Sequence, residues 1–460
     1  MLTSAELWHA GARALDAGLA PWSGGQGLAA RRQRRLAALM RAAEGSALYR
    51  ERFERHGACF ESQPPLSRRE LMARFDDSLT DRSLTLAGLQ AFMRAPERIG
   101  LPVDGRYTVW QSSGSSGEPG VFVQDEAAMG VYEALEAVRR VPSARRWMDP
   151  ALLTERIAFV GATGGHFASI AAVQRLRHRI PGMTRRLQGF SFLQPRQQLM
   201  AALNAWRPTI VATYPTAALM LAEAAQRGEL RLELSELWTG GEALTEGMRD
   251  VIVRAFGCPV WASYGASEFL ALACECAHRR LHLNCDWAIL EQVDRHGRPV
   301  PDGTPCHTTW LTNLANHAQP LIRYDLGDRV RIAGHACACG SPLPVIEVEG
   351  RIDDSLWVTG AHGHAVRLPP LALTTVIEDD AGWSDFQLVQ HGPRLLELTL
   401  GGAADAATTR RSRQALAAYL RSQGAGGVRL AVHCGEPSMV GHSGKRPRVV
   451  ASATGNAACP

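Results

Sequence analysis

The chain has 460 residues, of which 46% are hydrophobic and 21% charged, and its formal net charge is +5. This composition is typical of a globular protein, and the length predicts one large domain with a smaller one. The basic residues are scattered, which argues against a nucleic-acid partner, and no apolar run is long enough to cross a bilayer.

The N-terminal segment has no basic stretch followed by a hydrophobic one, so the sequence shows no secretion signal. With no membrane segment either, we expect a cytoplasmic location. In that compartment the ten cysteines would be thiols or metal ligands and not disulfides.

In chain order, residues 1–60 and 85–96 read as helical. A basic cluster at 31–35 is interpreted as a solvated helix face. From about residue 125, helical patterns alternate with short apolar runs, which predicts an α/β sheet with crossover helices. The predicted helices are Glu126–Arg140 and Leu199–Trp206, and the predicted strands are Ile157–Val160, Thr209–Ala212 and Pro259–Ala262.

A glycine- and serine-rich stretch, QSSGSSGEPG at 111–120, separates two apolar runs at 107–110 and 121–123. Such a loop offers backbone N–H groups and hydroxyls that can surround a phosphate. It lacks the lysine of a P-loop, and a plain flexible hairpin loop is the alternative interpretation.

Only one of the 50 basic Lys and Arg residues is a lysine, Lys445, which lies in the turn HSGKRPR. Arginine is a planar fork, whereas lysine is a compact point charge on a flexible stem. A chain that uses arginine everywhere else and retains one lysine indicates a position where arginine cannot substitute, and chance in a compositionally biased chain is the alternative interpretation.

Several further short motifs follow in order: Tyr214-Pro215, Thr239–Glu242, Tyr264–Glu268, Leu321–Asp328, Gly350–Asp354 and Ser443–Lys445. Together with the Gly/Ser loop they resemble the adenylate-forming superfamily of acyl- and aryl-CoA ligases, in its phenylacetate–CoA ligase-like branch. The resemblance implies an α/β fold. A large N-terminal domain with mixed sheets and crossover helices would span 1–350, and a small mobile α+β domain 351–451, followed by a tail at 452–460.

The resemblance also implies nucleotide-binding roles. Phosphate binding would fall to Ser113, Gly114, Ser115, Ser116 and Gly117, and adenine, ribose or phosphate contacts to Gly240, Gly241, Glu242, Tyr264, Asp328 and Arg351. Without the resemblance, Glu242 is a residue near a helix start, Asp328 an Asx-turn, and Arg351 a partner of Asp353 or Asp354.

Two catalytic roles follow from the same resemblance. Glu268 would hold Mg²⁺, with a surface carboxylate as its alternative, and Lys445 would offset the repulsion between the acid and the α-phosphate of ATP. His166, Tyr214 and Ala266 would shape the pocket for the acid, although aromatic residues on buried strands are often ordinary core.

Cysteines and histidines form a second group, in which Cys-X-Cys pairs are a loose match to zinc-ligand spacing. The resemblance selects Cys276, His282, Cys337 and Cys339 as ligands of a structural Zn²⁺. Cys274, His278 and Cys285 are competing ligands, and reduced buried thiols are the alternative.

The implied reaction is ATP- and Mg²⁺-dependent activation of a carboxylic acid, aryl or aryl-acetic, to acyl-AMP, followed by transfer to coenzyme A. A carrier-protein thiol or an amine as acceptor, a non-catalytic zinc-stabilised nucleotide-binding protein, and assembly as a homodimer all stay open. The sequence does not name the acid.

Overall fold

The computed structural model describes residues 4–112, 119–140, 154–242, 244, 246–348, 356–360, 363–368, 370–383, 386–401, 404–435 and 449–450. Within these ranges no helix is both long and apolar enough to span a bilayer. The predicted site residues Ser113–Gly117, Arg351 and Lys445, and the predicted domain boundary, lie outside the described residues.

The helices of the N-terminal part begin with three that cover most of the first 56 residues, as predicted. They are α1 (Ser4–Leu19), α2 (Gly24–Ala43), α3 (Ala47–His56), α4 (Arg68–Ala73), α5 (Phe75–Ser78), α6 (Leu86–Met93) and α7 (Glu126–Arg139). Local capping sets several of their starts. Ser46, Ser67, Thr85 and Asp125 each accept a hydrogen bond from the backbone N–H three residues later.

A mixed nine-stranded sheet forms the centre of the structure. Its order is β13-β14-β9-β8-β7-β6-β5-β3-β4, with β3 to β7 parallel and β7 to β9 antiparallel. The strands are β3 (Ile157–Gly161), β4 (Leu187–Ser191), β5 (Ile210–Thr213), β6 (Glu236–Thr239), β7 (Val260–Ala266), β8 (Phe269–Glu275), β9 (Leu281–Leu283), β13 (Val330–Ile332) and β14 (Val345–Val348).

Crossover helices connect the parallel strands, as the alternating pattern predicted. They are α8 (Ala168–Arg179), α9 (Arg196–Trp206), α10 (Pro215–Gln226) and α11 (Glu246–Phe256). A hairpin of β1 (Tyr107–Gln111) and β2 (Val121–Asp125) carries the Gly/Ser loop, and β10 (Ala288–Val293), β11 (Thr308–Asn313) and β12 (Tyr324–Asp325) form a further antiparallel sheet. The predicted α/β class is confirmed.

The described residues after 356 form sheets of their own, which share no ladder with the central sheet. A hairpin joins β15 (Leu356–Thr359) to β16 (Ala365–Leu368), and a four-stranded sheet has the order β19-β18-β17-β20. Its elements are α12 (Pro370–Thr375), β17 (Phe386–Gly392), β18 (Leu395–Leu400), α13 (Ala406–Ser422), β19 (Arg429–Cys434) and β20 (Val449–Val450). The division into two domains stays a prediction.

Candidate active site and metal cluster

The carboxyl ends of the parallel strands bring several predicted residues to one edge of the sheet, the usual place for ligands in such folds. Thr239 ends β6, and the chain then turns through Gly240 and Gly241, which has φ +79°. A Cβ at Gly241 would lie 3.0 Å from the ring of Tyr214. The absent side chains therefore leave a flat backbone surface beside an aromatic ring, where a planar base can approach closely.

Aromatic contacts and a hydrogen bond fix the position of the Tyr214 side chain. Its ring makes edge contacts with Phe159 and Phe192 at centroid distances of 6.5 and 5.9 Å. Burial raises the pKa of its hydroxyl, as does the nearby Glu242, while a hydrogen bond with Ser169 opposes the shift. The residue before helix α10 thus has a fixed position at the predicted pocket.

A hydrogen bond joins two of the predicted ribose-side residues. The hydroxyl of Tyr264 donates to Oδ2 of Asp328 over 2.9 Å. The register of β7 against β8 shifts between Tyr264 and Ala266, and a Cβ at the intervening Gly265 would lie 2.0 Å from the carbonyl oxygen of Leu270. Only glycine fits there, so this close approach shapes the turn that carries Ser267 and Glu268.

Glu268 is a buried carboxylate, 4% exposed, so its interpretation as a surface residue is wrong. Trp110 donates to the backbone oxygen of Ser267 and Asn313 to that of Glu268, both over 2.8 Å. These two bonds fix the turn from the side of β1 and β11. The Oε1 atom of Glu268 has no hydrogen-bond partner in the described part of the chain.

Arg68 and Tyr324 surround the Glu268 carboxylate. Nη2 of Arg68 lies 3.6 Å from Oε1 of Glu268, and Nε of Arg68 donates to the hydroxyl of Tyr324 over 3.3 Å. Burial raises the pKa of Glu268, while the charge of Arg68 and a hydrogen bond with Tyr324 lower it. The carboxylate, whose Oε1 has no hydrogen-bond partner among the described residues, therefore has the donor chemistry that a hard cation such as Mg²⁺ prefers.

Sequence reasoning missed Arg68. It occupies the first turn of α4, where the helix dipole disfavours a positive charge. Arg69 shares this turn, so the mismatch is a local signal that does not single out Arg68.

Hydrogen bonds between Ser112 and Gly120 close the base of the Gly/Ser loop at the ends of β1 and β2. Ser112 and Gly120 exchange two hydrogen bonds, one backbone to backbone over 2.8 Å and one from Gly120 N–H to Ser112 Oγ over 2.9 Å. The N–H of Gln111 also donates to the backbone oxygen of His166 over 2.8 Å. The ends of the loop are therefore anchored beside the predicted acid-pocket segment.

His166 itself is buried, with 2% of its surface exposed. Its Nε2 lies 3.2 Å from the carbonyl oxygen of Ala95, its ring packs edge-on against Phe92, and burial lowers its pKa. A cavity of about 380 Å³ lies between α10, the β15–β16 hairpin and α13. Tyr214 lines this cavity, and His166 and Ala266 are not among its lining residues. The three predicted acid-pocket residues are thus only partly brought together.

The predicted cysteine and histidine ligands do converge. The donor atoms of Cys276, His282, Cys337 and Cys339 all lie within 4.8 Å of one another. Sγ of Cys276 is 3.8 Å from Sγ of Cys337, and Sγ of Cys339 is 3.4 Å from Nε2 of His282. A tetrahedral Zn²⁺ with Zn–S bonds of about 2.3 Å separates two sulfurs by about 3.8 Å, so this spacing fits.

The hydrogen bond of the other imidazole nitrogen supports the same donor set. Nδ1 of His282 lies 2.7 Å from the carbonyl oxygen of Leu343, which makes Nδ1 the protonated nitrogen and directs the Nε2 lone pair at Cys339. The competing ligands do not join the four: Cys274 and Cys285 are buried elsewhere, and His278 is exposed on the turn. The cluster links the β8–β9 turn to the loop between β13 and β14.

Parts of this chain are similar to known proteins. The family model "AMP-binding enzyme" matches residues 112–307. Phenylacetate-coenzyme A ligase of Thermus thermophilus is 28% identical over 280 residues, which cover 58% of this chain and 59% of that protein. Protein CapK of Staphylococcus aureus is 27% identical over 132 residues, 28% of each chain.

Solved structures share the fold. A 2-hydroxyisobutyryl-CoA ligase, in complex with 2-HIB-AMP and CoA in the thioesterification state, has a TM-score of 0.54 and 20% identity, covering 92% of this chain and 90% of that one. The same ligase in its postadenylation state has a TM-score of 0.53. The match over residues 112–307 and the shared fold agree with the resemblance to adenylate-forming enzymes that the motif order indicates, and the chain spans about three fifths of the length of the phenylacetate-coenzyme A ligase that it resembles.

Proposed function

We propose that this chain is an ATP-dependent acid–CoA ligase that forms an acyl adenylate and then a CoA thioester. The observation that carries the proposal is the convergence at one sheet edge of a side-chain-free surface at Gly240–Gly241, the Tyr264–Asp328 pair and the buried carboxylate of Glu268. A flat base, a diol and a metal-bound triphosphate need these three kinds of group.

Each residue then has a defined task. Gly240 and Gly241 admit the adenine, and Asp328, oriented by the hydroxyl of Tyr264, accepts hydrogen bonds from the ribose. Glu268 would hold Mg²⁺, which supplies positive charge to the phosphate oxygens. The Gly/Ser loop at 113–117 and Arg351 take the phosphates, and Lys445 offsets the repulsion between the acid and the α-phosphate.

The acid is proposed to enter the cavity beside Tyr214. Phe192, Ala217 and Met220 are apolar residues of the lining, whereas Glu242, which lies near Tyr214, and Arg196 and Arg227 are charged ones. The apolar residues suit the ring of an aryl or aryl-acetic acid.

The proposal is tested by acid-dependent exchange between pyrophosphate and ATP, with a panel of aryl, aryl-acetic and short aliphatic acids. Exchange with an aryl or aryl-acetic acid, followed by an acyl-CoA product when CoA is added, is the expected result. Exchange without a CoA thioester, and with a product on a carrier thiol or an amine, would replace the proposed acceptor. No exchange with any acid would favour a nucleotide-binding protein without catalysis.

Tyr264→Phe is expected to weaken ATP binding about fivefold, because Asp328 loses the donor that orients it and one hydrogen bond contributes about 1 kcal/mol. Calorimetric titration of ATP measures the change. Tyr107→Phe is the matched control, since Tyr107 likewise donates to an aspartate, Asp81, over 2.8 Å. Equal weakening in both variants would contradict the assigned role.

The cysteine and histidine cluster is proposed to hold one structural Zn²⁺. Four protein donors leave no open coordination position. The ion would therefore cross-link the β8–β9 turn to the loop between β13 and β14 and take no part in the reaction.

Cys337→Ser is expected to remove most of the bound zinc and to lower the free energy of unfolding by about 2–5 kcal/mol, the range for losing a covalent cross-link. Metal analysis by mass spectrometry and urea unfolding measure both effects. Cys59→Ser, which alters an exposed thiol outside the cluster, is the control. Purified parent protein without zinc would contradict the assignment.

A further inference from the structure

Helix α1 exposes three large apolar side chains. Trp8, Leu15 and Leu19 are 76%, 64% and 51% exposed, whereas Ala17 is 2% exposed. Trp22, just after the helix, is 87% exposed. An amphipathic helix that packs only on its own chain shows the opposite arrangement, with the large apolar residues inside.

The outward face, here called the α1 face, consists of Trp8, Gly11, Ala12, Leu15 and Leu19, which recur at helical spacing and are all exposed. It contains no charged residue. The two charged residues between positions 8 and 19 lie off this face and are engaged by the chain itself. Asp16 pairs with Arg31 and Arg35 of α2, and Arg13 approaches Gly130 of α7.

The exposed area is large enough to matter. With about 150–250 Å² for each tryptophan, the α1 face and Trp22 expose on the order of 500 Å² of apolar side chain, near the upper end for a monomer. Val138 of α7, 39% exposed, adjoins it next to Gly18. A stable interface buries about 800 Å² on each partner, so an apolar centre of this size needs a polar rim of about 300 Å² to reach that area.

We propose that the α1 face is a two-fold interface between two copies of this chain. The face is self-complementary. In an antiparallel helix pair centred between Gly11 and Ala12, Trp8 of each copy lies opposite Leu15 of the other. The small residues fall at the crossing point, and no atom lies within 4 Å of the position of a Cβ at Gly11, which leaves room for the second helix. An isologous contact of this kind closes at a dimer.

Sedimentation equilibrium of the full chain tests the proposal. The parent is expected at twice the single-chain mass of 49.9 kDa, and Leu15→Glu at the single-chain mass at the same concentration. Leu101→Glu is the matched control, an exposed leucine outside the face, and keeps the dimer mass. Because Leu15 is exposed, both variants should fold, which circular dichroism checks. A monomeric parent, or a dimeric Leu15→Glu variant, would overturn the proposal.

The helix register has its own test. Trp8→Lys and Leu15→Glu should each be monomeric alone, because each places a charge in the apolar interface. Mixed, they should form a heterodimer of twice the single-chain mass, since one lysine then faces one glutamate and the second contact is the parental Trp8–Leu15 pair. A mixture that stays monomeric would overturn the antiparallel register. Parent protein that is monomeric and co-floats with lipid vesicles would assign the face to a membrane surface instead.

Discussion

Replacing Glu268 with glutamine is expected to lower kcat/KM for Mg²⁺·ATP in pyrophosphate exchange by roughly 10²–10³-fold, the range found when one preorganised electrostatic contact is removed. The amide keeps the shape of the side chain and its position in the turn fixed by Trp110 and Asn313. What it loses is the negative charge of the carboxylate, whose Oε1 lacks a hydrogen-bond partner among the described residues. The expected loss is therefore in metal binding and not in folding.

The pH dependence sharpens this prediction. Burial raises the pKa of Glu268, so in the free protein a proton competes with the cation for this carboxylate. As the pH rises through the raised pKa, the proton leaves and the affinity of the parent for Mg²⁺·ATP should increase. The glutamine variant has no proton to lose at this position, so its weaker affinity for Mg²⁺·ATP should not increase with pH in this way.

Glu246→Gln provides the control, because it makes the same chemical change on a largely exposed side chain of α11. Its exchange kinetics and their pH profile should match the parent. If Glu268→Gln retains parental kcat/KM, or if its pH profile rises in parallel with the parent, the carboxylate does not hold the metal.

The sequence was sufficient for the elements whose signal is local. Predicted strands of four residues each placed β3, β5 and the start of β7 to within a residue, because buried parallel strands have near-continuous apolar sequences. Glycines at 240, 241 and 265 were informative for the same reason: each occupies a place where a Cβ would meet a neighbour, so the motif records a geometric requirement.

The residues that sequence reasoning missed act across long separations. Arg68 meets Glu268 and Tyr324, and Trp110 reaches Ser267, across intervals of 157 residues or more. No periodicity links such positions, since their contact depends on how α4 and β1 pack against the β7–β8 turn. The metal ligands were equally hard to select from the sequence. Spacing left Cys274, His278 and Cys285 open, and only the turn between β8 and β9 brings Cys276 to the other thiols.

Lys445→Arg is expected to slow formation of the acyl adenylate by roughly 10²–10³-fold, nearly as much as Lys445→Ala, although arginine keeps the positive charge. An ammonium is compact and can bridge the acid carboxylate and the α-phosphate, whereas the wide guanidinium fork cannot occupy the same point. The 49 arginines of this chain make the substitution a test of geometry, because the protein otherwise uses arginine for every basic side chain.

The two half-reactions separate this role from a structural one. Thioester formation from supplied acyl-AMP and CoA needs no bridge between carboxylate and triphosphate, so both Lys445 variants should retain most of it. Arg429→Ala, which removes a basic side chain from β19 of the same C-terminal region, is the matched control and should leave both half-reactions near the parental rate. A Lys445→Arg variant that forms acyl-AMP at the parental rate, or one that loses both half-reactions equally, would remove Lys445 from the adenylation step.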